Sequence, residues 1–156
     1  MTRIPEHIAT LFGLGMLSPA PGTVGSLAAL PVGIWIAWAG GTQALLLSAL
    51  LIIVLGIWVS GVFAMRFADD DPSECIIDEV AGQWIALLPL AIFHHPLSWR
   101  AILAAFLLFR LFDIVKPWPI SRVERWPGGL GIMADDVLAG CVAAILVAMG
   151  FGFGWL

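Results

Sequence analysis

Tyrosine is absent from this 156-residue chain, and charge is scarce: Asp, Glu, Lys and Arg together make up 12%. Soluble domains carry about 25% charged and roughly 45–50% apolar residues. Here 61% of residues are hydrophobic, and the mean hydropathy is +1.02. So little polar surface cannot cover a water-soluble fold of this size. One integral-membrane domain over residues 1–156 is expected. Eight Trp without a Tyr suit a bilayer, where Trp favours the interfaces.

Cysteine is nearly absent too. Cys75 and Cys141 stand far apart, each beside an apolar run. No CxxC pair or metal comb is present, so two small buried thiols are expected rather than a disulfide. There is no Cys-x5-Arg loop of a thiol phosphatase and no Gly-x4-Gly-Lys-Ser/Thr phosphate loop. The Lys, Arg and His motifs of type 2 phosphatidic acid phosphatases are missing as well. No cleaved signal peptide is expected, since SPAPGT is a poor cleavage site.

What is present is a series of long apolar runs. A spanning helix needs about 20 mostly apolar residues. Residues 42–65, TQALLLSALLIIVLGIWVSGVFAM, meet this without a charge. Residues 80–93 reach that length if Asp78 and Glu79 form a first turn. Residues 96–115 and 137–156 are further candidates, and 24–41 is a shorter one that contains Pro31. Residues 8–17 are too short to span and suit an interfacial or re-entrant segment. The fold class expected is therefore an all-α, polytopic helical membrane protein with about four to five transmembrane helices. With the N-terminus inside, Arg3, Arg66, Lys116, Arg122 and Arg125 fall in cytoplasmic segments, and only Arg100 falls outside.

In that topology nine of the eleven carboxylates gather at one membrane face. Asp69, Asp70 and Asp71 follow one helix, Glu74, Asp78 and Glu79 lead into the next, Asp113 ends another, and Asp135 and Asp136 open the last. IIDEVAG (76–82) and MADDVLAG (133–140) echo each other. Each has an acidic pair, small residues and then an apolar run, so both pairs are expected in a first helical turn at one depth. Helix capping and solvation would account for any one acid. Two pairs at one depth would repel without a cation between them, and convergent oxygen ligands suit Mg²⁺. Ala81-Gly82 and Ala139-Gly140 would let the two helices pack closely.

Around these acids lie candidate anion ligands. In FRLFDIVKPWPISRVERW (109–126), Arg110 and Asp113 share a helix face. Pro117 should stop the helix just after Lys116, which holds that ammonium at the membrane edge as an anion ligand. Arg122 and Arg125 fit positive-inside anchors better. In SPAPGTVGSLAALP (18–31), Pro21-Gly22 marks a turn, and Thr23 or Ser26 could cap a helix start suited to phosphate. His94 and His95 fall on the outer loop, away from the acids.

Together SPAPGTVGSLAALP, DPSECIIDEVAG, FRLFDIVKPWPI and GGLGIMADDVLAG resemble the phosphatidylglycerophosphatase A family, in order and with similar spacing over most of the chain. The resemblance implies a Mg²⁺-dependent enzyme of the bacterial inner membrane that removes the terminal phosphate of phosphatidylglycerophosphate. Its partners would be that phospholipid and the bilayer, with no nucleic acid. The residues suggest a division of labour on the cytoplasmic side. Asp78, Glu79, Asp135 and Asp136 would hold one or two Mg²⁺. Asp71 and Asp113 would complete the shell, or one would act as a base towards water. Lys116, with Arg110 and the Thr23 helix start, would grip the phosphate. A covalent aspartyl-phosphate route stays open.

Two rivals are weaker. A small transporter or ion channel would need charge along a route across the membrane, and these acids gather at one face. A CDP-alcohol phosphotransferase would carry a longer Asp-rich pattern that this chain lacks.

Overall fold

The computed structural model describes residues 4–67 and 72–156. Arg3, Asp69, Asp70 and Asp71 lie outside the described residues. Within them all regular structure is helical: α1 (Ile4–Ala9), a 3-10 turn (Leu14–Met16), α2 (Pro21–Phe67), α3 (Ile77–Ile92), α4 (Trp99–Val115), α5 (Ile120–Val123) and α6 (Gly129–Gly152). The expected all-helical class is met.

Helix α2 covers 47 residues, and a straight helix of that length would reach about 70 Å. Instead the chain folds back at Gly41, whose φ of 66° and ψ of −162° are open to glycine and costly for other residues. Near one end of α2, Ser26 contacts Glu79. Near the other, the Cys75 thiol donates to Ser60 Oγ at 3.2 Å. Both ends therefore meet the beginning of α3, and residues 21–40 and 42–67 form two antiparallel arms. The break falls where the sequence separates two apolar runs. The first arm is longer than expected because Pro21 takes the first helical position rather than a turn. Its missing N–H costs nothing there.

Helix α3 is the centre of the bundle, with 14 of its 16 residues buried. The outward faces of its neighbours are apolar. Trp35, Trp38, Leu51 and Val54 of α2, Leu107 and Leu111 of α4, and Ile145 and Met149 of α6 are all exposed. Such a surface is a liability in water and a natural one in lipid.

Helices α3 and α6 run parallel, since Glu79 lies by Asp136 and Gly82 packs on Gly140. Helix α4 runs against both, with Arg110 reaching Glu79 and Lys116 reaching Asp135. The starts of α3 and α6, the end of α4 and both ends of α2 thus share one end of the bundle. Helix α1 joins them, where the Ile76 N–H donates to the Ala9 carbonyl at 2.9 Å and Arg66 pairs with Glu6. At the opposite end Phe93 and His95 stack on Phe151, with centroids 5.0 and 5.8 Å apart.

Two expectations need correction. Among the described residues two helices, Pro21–Phe67 and Gly129–Gly152, are long and apolar enough to cross a membrane, fewer than the four to five expected. Helix α3, with 16 residues, falls just below the usual range for a span, and α4, with 17, sits at its lower limit. The second correction concerns α6. It starts at Gly129, so Asp135 and Asp136 sit in its second turn and no acid is in its first. Asp78 and Glu79 do occupy the first turn of α3.

Candidate active site

The site begins with a close helix crossing. A Cβ on Gly140 would overlap the Gly82 carbonyl oxygen, and one on Gly82 would stand 2.7 Å from the Asp136 carbonyl oxygen. Only glycines let the two backbones approach this far, as the small residues after each acidic pair suggest. One turn before the crossing, both helices carry their acids. The short separation of the backbones forces these carboxylates together.

The two acidic pairs fold alike. Asp78 Oδ1 accepts from the Glu79 backbone N–H at 3.0 Å, and Asp135 Oδ1 accepts from the Asp136 N–H at 3.0 Å. The first acid of each pair is thereby held against its own helix. The second points inward. Glu79, Asp113 and Asp136 each place a carboxylate oxygen within 4.8 Å of the others. Arg110 enters this group from α4. Its Nη1 lies 2.5 Å from both Glu79 carboxylate oxygens and 2.7 Å from Asp113 Oδ2. Ser26 Oγ completes the Glu79 environment at 2.8 Å from Oε2, and lies 2.7 Å from the Gly22 carbonyl oxygen.

Lys116 occupies the rim. Helix α4 ends at Val115, before Pro117 as expected, and Lys116 turns out of it with φ 44° and ψ 55°. Its Nζ donates to Asp135 Oδ2 at 2.7 Å and to Glu124 Oε1 at 2.6 Å. Burial works to lower the pKa of this ammonium, but the hydrogen bonds and charges of Asp135 and Glu124 outweigh it and hold the value above the usual one for lysine.

A cavity of about 200 Å³ opens over these groups. Asp78, Glu79, Asp113, Asp135, Asp136, Arg110 and Lys116 all line it, so most of the residues singled out in the sequence converge. Thr23 lies in the first turn of α2, where Pro21 and Gly22 rather than Thr23 line the cavity. Asp71 falls outside the described residues. Ser26 appeared only as a possible cap, yet it is buried against Glu79. The small residues Gly22, Gly25, Ser26, Ala29 and Gly33 recur at helical spacing and mark the face of α2 that meets α3. That stripe was the available signal for Ser26. Glu124, which stood apart in the sequence, proves to be a partner of Lys116.

The family model of phosphatidylglycerophosphatase A matches residues 7–151. The chain belongs to the phosphatidylglycerophosphatase A family. It is similar to a Haemophilus influenzae protein named phosphatidylglycerophosphatase A, 39% identical over 92% of this chain and 86% of the relative. The Escherichia coli protein of the same name is 35% identical over 90% of this chain and 80% of the relative. A Bacteroides thetaiotaomicron protein named "Putative phosphatidylinositol-3-phosphatase" is 39% identical over 94% and 92%. The three names are those of lipid phosphatases and differ in the headgroup. No solved structure matches the chain.

The cavity has a donor set that fits a hard divalent cation. Glu79, Asp113 and Asp136 offer only oxygen, as Mg²⁺ prefers. Asp136 Oδ2 is buried and has no hydrogen-bond partner among the described residues. An orphaned carboxylate oxygen in such a place is costly, and a cation would offset that cost.

Proposed function

We propose that the protein is a Mg²⁺-dependent phosphatase that hydrolyses the terminal phosphate monoester of phosphatidylglycerophosphate, giving phosphatidylglycerol and phosphate in phospholipid biosynthesis. The observation that carries this reading is the convergence of three carboxylates with Arg110 and Lys116 in one cavity at one end of an apolar bundle. The family and two of the three relatives favour the glycerol headgroup.

Glu79, Asp113 and Asp136 form the core of the proposed metal set, with Asp78 and Asp135 on the same cavity wall. When held there, Mg²⁺ would supply charge neutralisation to the phosphate oxygens. Lys116 and Arg110 supply N–H donors to the same oxygens and fix the phosphate against the carboxylates. Phosphoryl transfer asks mainly for such positioning and charge neutralisation. Asp113, or Asp71 from the segment that precedes α3, takes a proton from the attacking water. The water oxygen bonds to phosphorus, the bond from phosphorus to the glycerol oxygen breaks, and the departing alkoxide takes that proton from the same carboxyl group. The acyl chains stay among the apolar faces of the helices.

The two arms of α2 with α3, α4 and α6 make up five passes in a single domain over residues 1–156 of a bacterial inner-membrane protein. The cavity faces the cytoplasm, where Arg66, Lys116, Arg122 and Arg125 gather. The shorter α3 is enclosed by its neighbours, and the shorter α4 is accommodated by local thinning of the bilayer. In spheroplasts, an impermeant thiol reagent is expected to label His95→Cys and to spare Arg125→Cys. The reverse pattern would refute the orientation.

The decisive assay uses purified protein in detergent. Phosphate release from phosphatidylglycerophosphate should require Mg²⁺ and stop with EDTA, and phosphatidylinositol 3-phosphate should be the poorer substrate. Release that ignores EDTA would remove the metal. A preference for the inositol lipid would reassign the headgroup.

A further inference from the structure

A second cavity, of about 480 Å³, lies outside the catalytic one and is lined by Trp118, Ser121, Arg122, Arg125 and Trp126. It is built on α5 and its flanks. Ile120 is fully buried and pins this segment to the core. Trp118 and Trp126 remain exposed beside it. Glu124, the nearest acid in sequence, is taken up by Lys116 at 2.6 Å. Arg122 and Arg125 consequently have no carboxylate partner among the described residues.

Two unpaired guanidiniums and a hydroxyl around one cavity make a site for a phosphate group, since guanidinium binds phosphate oxygens in pairs. The setting narrows the source of that phosphate. The cavity lies at the end of the bundle that holds the acids, because Lys116 bridges Glu124 here to Asp135 there. Exposed Trp on both sides belongs at a headgroup interface, and basic residues there attract anionic lipid. A volume of about 480 Å³ lies within the usual range for small-ligand pockets.

We infer that this cavity is a separate binding site for the phosphodiester headgroup of an anionic glycerophospholipid, held by Arg122, Arg125 and Ser121 between Trp118 and Trp126. It keeps an anionic lipid at the mouth of the enzyme without taking part in the chemistry. Lys116, which lines the catalytic cavity, ties it to this segment through its ion pair with Glu124.

Lipid binding, not activity, is the readout, so this inference can fail while the proposed reaction stands, and the reverse. The full-length protein in neutral detergent is titrated with phosphatidylglycerol or phosphatidylcholine and lipids retained are counted by native mass spectrometry. The wild type should retain one more phosphatidylglycerol per chain than the Arg122→Gln/Arg125→Gln variant, with roughly ten-fold weaker binding at that site in the variant. Lipid bound at the catalytic cavity is common to both proteins and cancels. Trp118→Ala should weaken the same step without removing either charge. An unchanged thermal midpoint is expected for both variants, since these side chains are exposed and unpaired. Equal retention of phosphatidylglycerol by wild type and double variant would overturn the inference. So would equal retention of phosphatidylcholine, or complete displacement of the lipid by millimolar inorganic phosphate.

Discussion

Gly140 rests on the backbone of Gly82, leaving no room for a Cβ between α6 and α3. The obstacle is main chain on both sides, so an added methyl must push the helices apart. Gly140→Ala should cost about 1–3 kcal/mol of stability and lower the thermal midpoint in detergent. Phosphate release should fall further than stability does, because Glu79 and Asp136 lie one turn away on the displaced helices. Gly152→Ala is the control. Nothing lies within 4 Å of its added Cβ, so it should leave both measurements unchanged or slightly improved.

Arg110 neutralises Glu79 and Asp113 together, at 2.5 and 2.7 Å. Its side chain is 14% exposed and that of Glu79 9%. Arg110→Gln would leave two largely buried carboxylates without their cation, which costs about 3–5 kcal/mol. The double variant Arg110→Gln/Glu79→Gln should recover part of that loss, since one stranded charge is removed with its partner. Thermal unfolding of the two single variants, the double variant and the wild type measures the coupling. Strict additivity would show that the pair contributes no interaction of its own.

The sequence announced the acids, the glycines behind them and the stop at Pro117, because each follows from local chemistry. Charge is costly in an apolar run, small residues permit close crossings, and proline cannot continue a helix. Even the fold-back at Gly41 coincides with the boundary between two apolar runs. What local pattern could not supply was partner choice. Asp113 joins Glu79 and Asp136, while Asp135 turns to Lys116; the heptapeptide echo alone treats the two acidic pairs as equivalent. The extra turn before Asp135 arises because residues 129–131, GLG, form helix, although glycine disfavours it. Gly129 and Gly131 pack against the backbone of residues 57, 61, 124 and 126, a tertiary gain that propensity does not include.

Lys116 offers a pH test. A cation whose folded pKa is raised stabilises the fold fully below its ordinary value of 10.5 and loses that contribution only as pH climbs through the raised value. The gap in thermal midpoint between the wild type and Lys116→Gln should therefore stay constant from about pH 7 to about pH 10 and close only above that. Two charge-assisted hydrogen bonds on a side chain 24% exposed correspond to about 1–2 kcal/mol after allowance for solvent screening. A gap that shrinks through neutral pH would show that Lys116 is not held charged by Asp135 and Glu124. Because the phosphate would lose the Lys116 ammonium, Lys116→Gln should also raise KM for the phospholipid about ten-fold.

Asp136 should separate stability from function. Its Oδ2 is buried without a hydrogen-bond partner among the described residues, and Glu79 and Asp113 crowd it with further negative charge. Asp136→Asn keeps the shape and removes one of three like charges. The variant should unfold at the same or a higher temperature than the wild type, a gain of up to about 2 kcal/mol from relieved repulsion and desolvation. Phosphate release should fall roughly 100-fold or more, the scale expected when a group that stabilises transition-state charge is lost. Magnesium supplies the third reading. Saturating Mg²⁺ should raise the thermal midpoint of the wild type by mass action, and the shift should vanish in Asp136→Asn. A variant that loses activity but keeps the full Mg²⁺ shift would move the cation away from Asp136, towards Asp78 and Asp135, which line the same cavity.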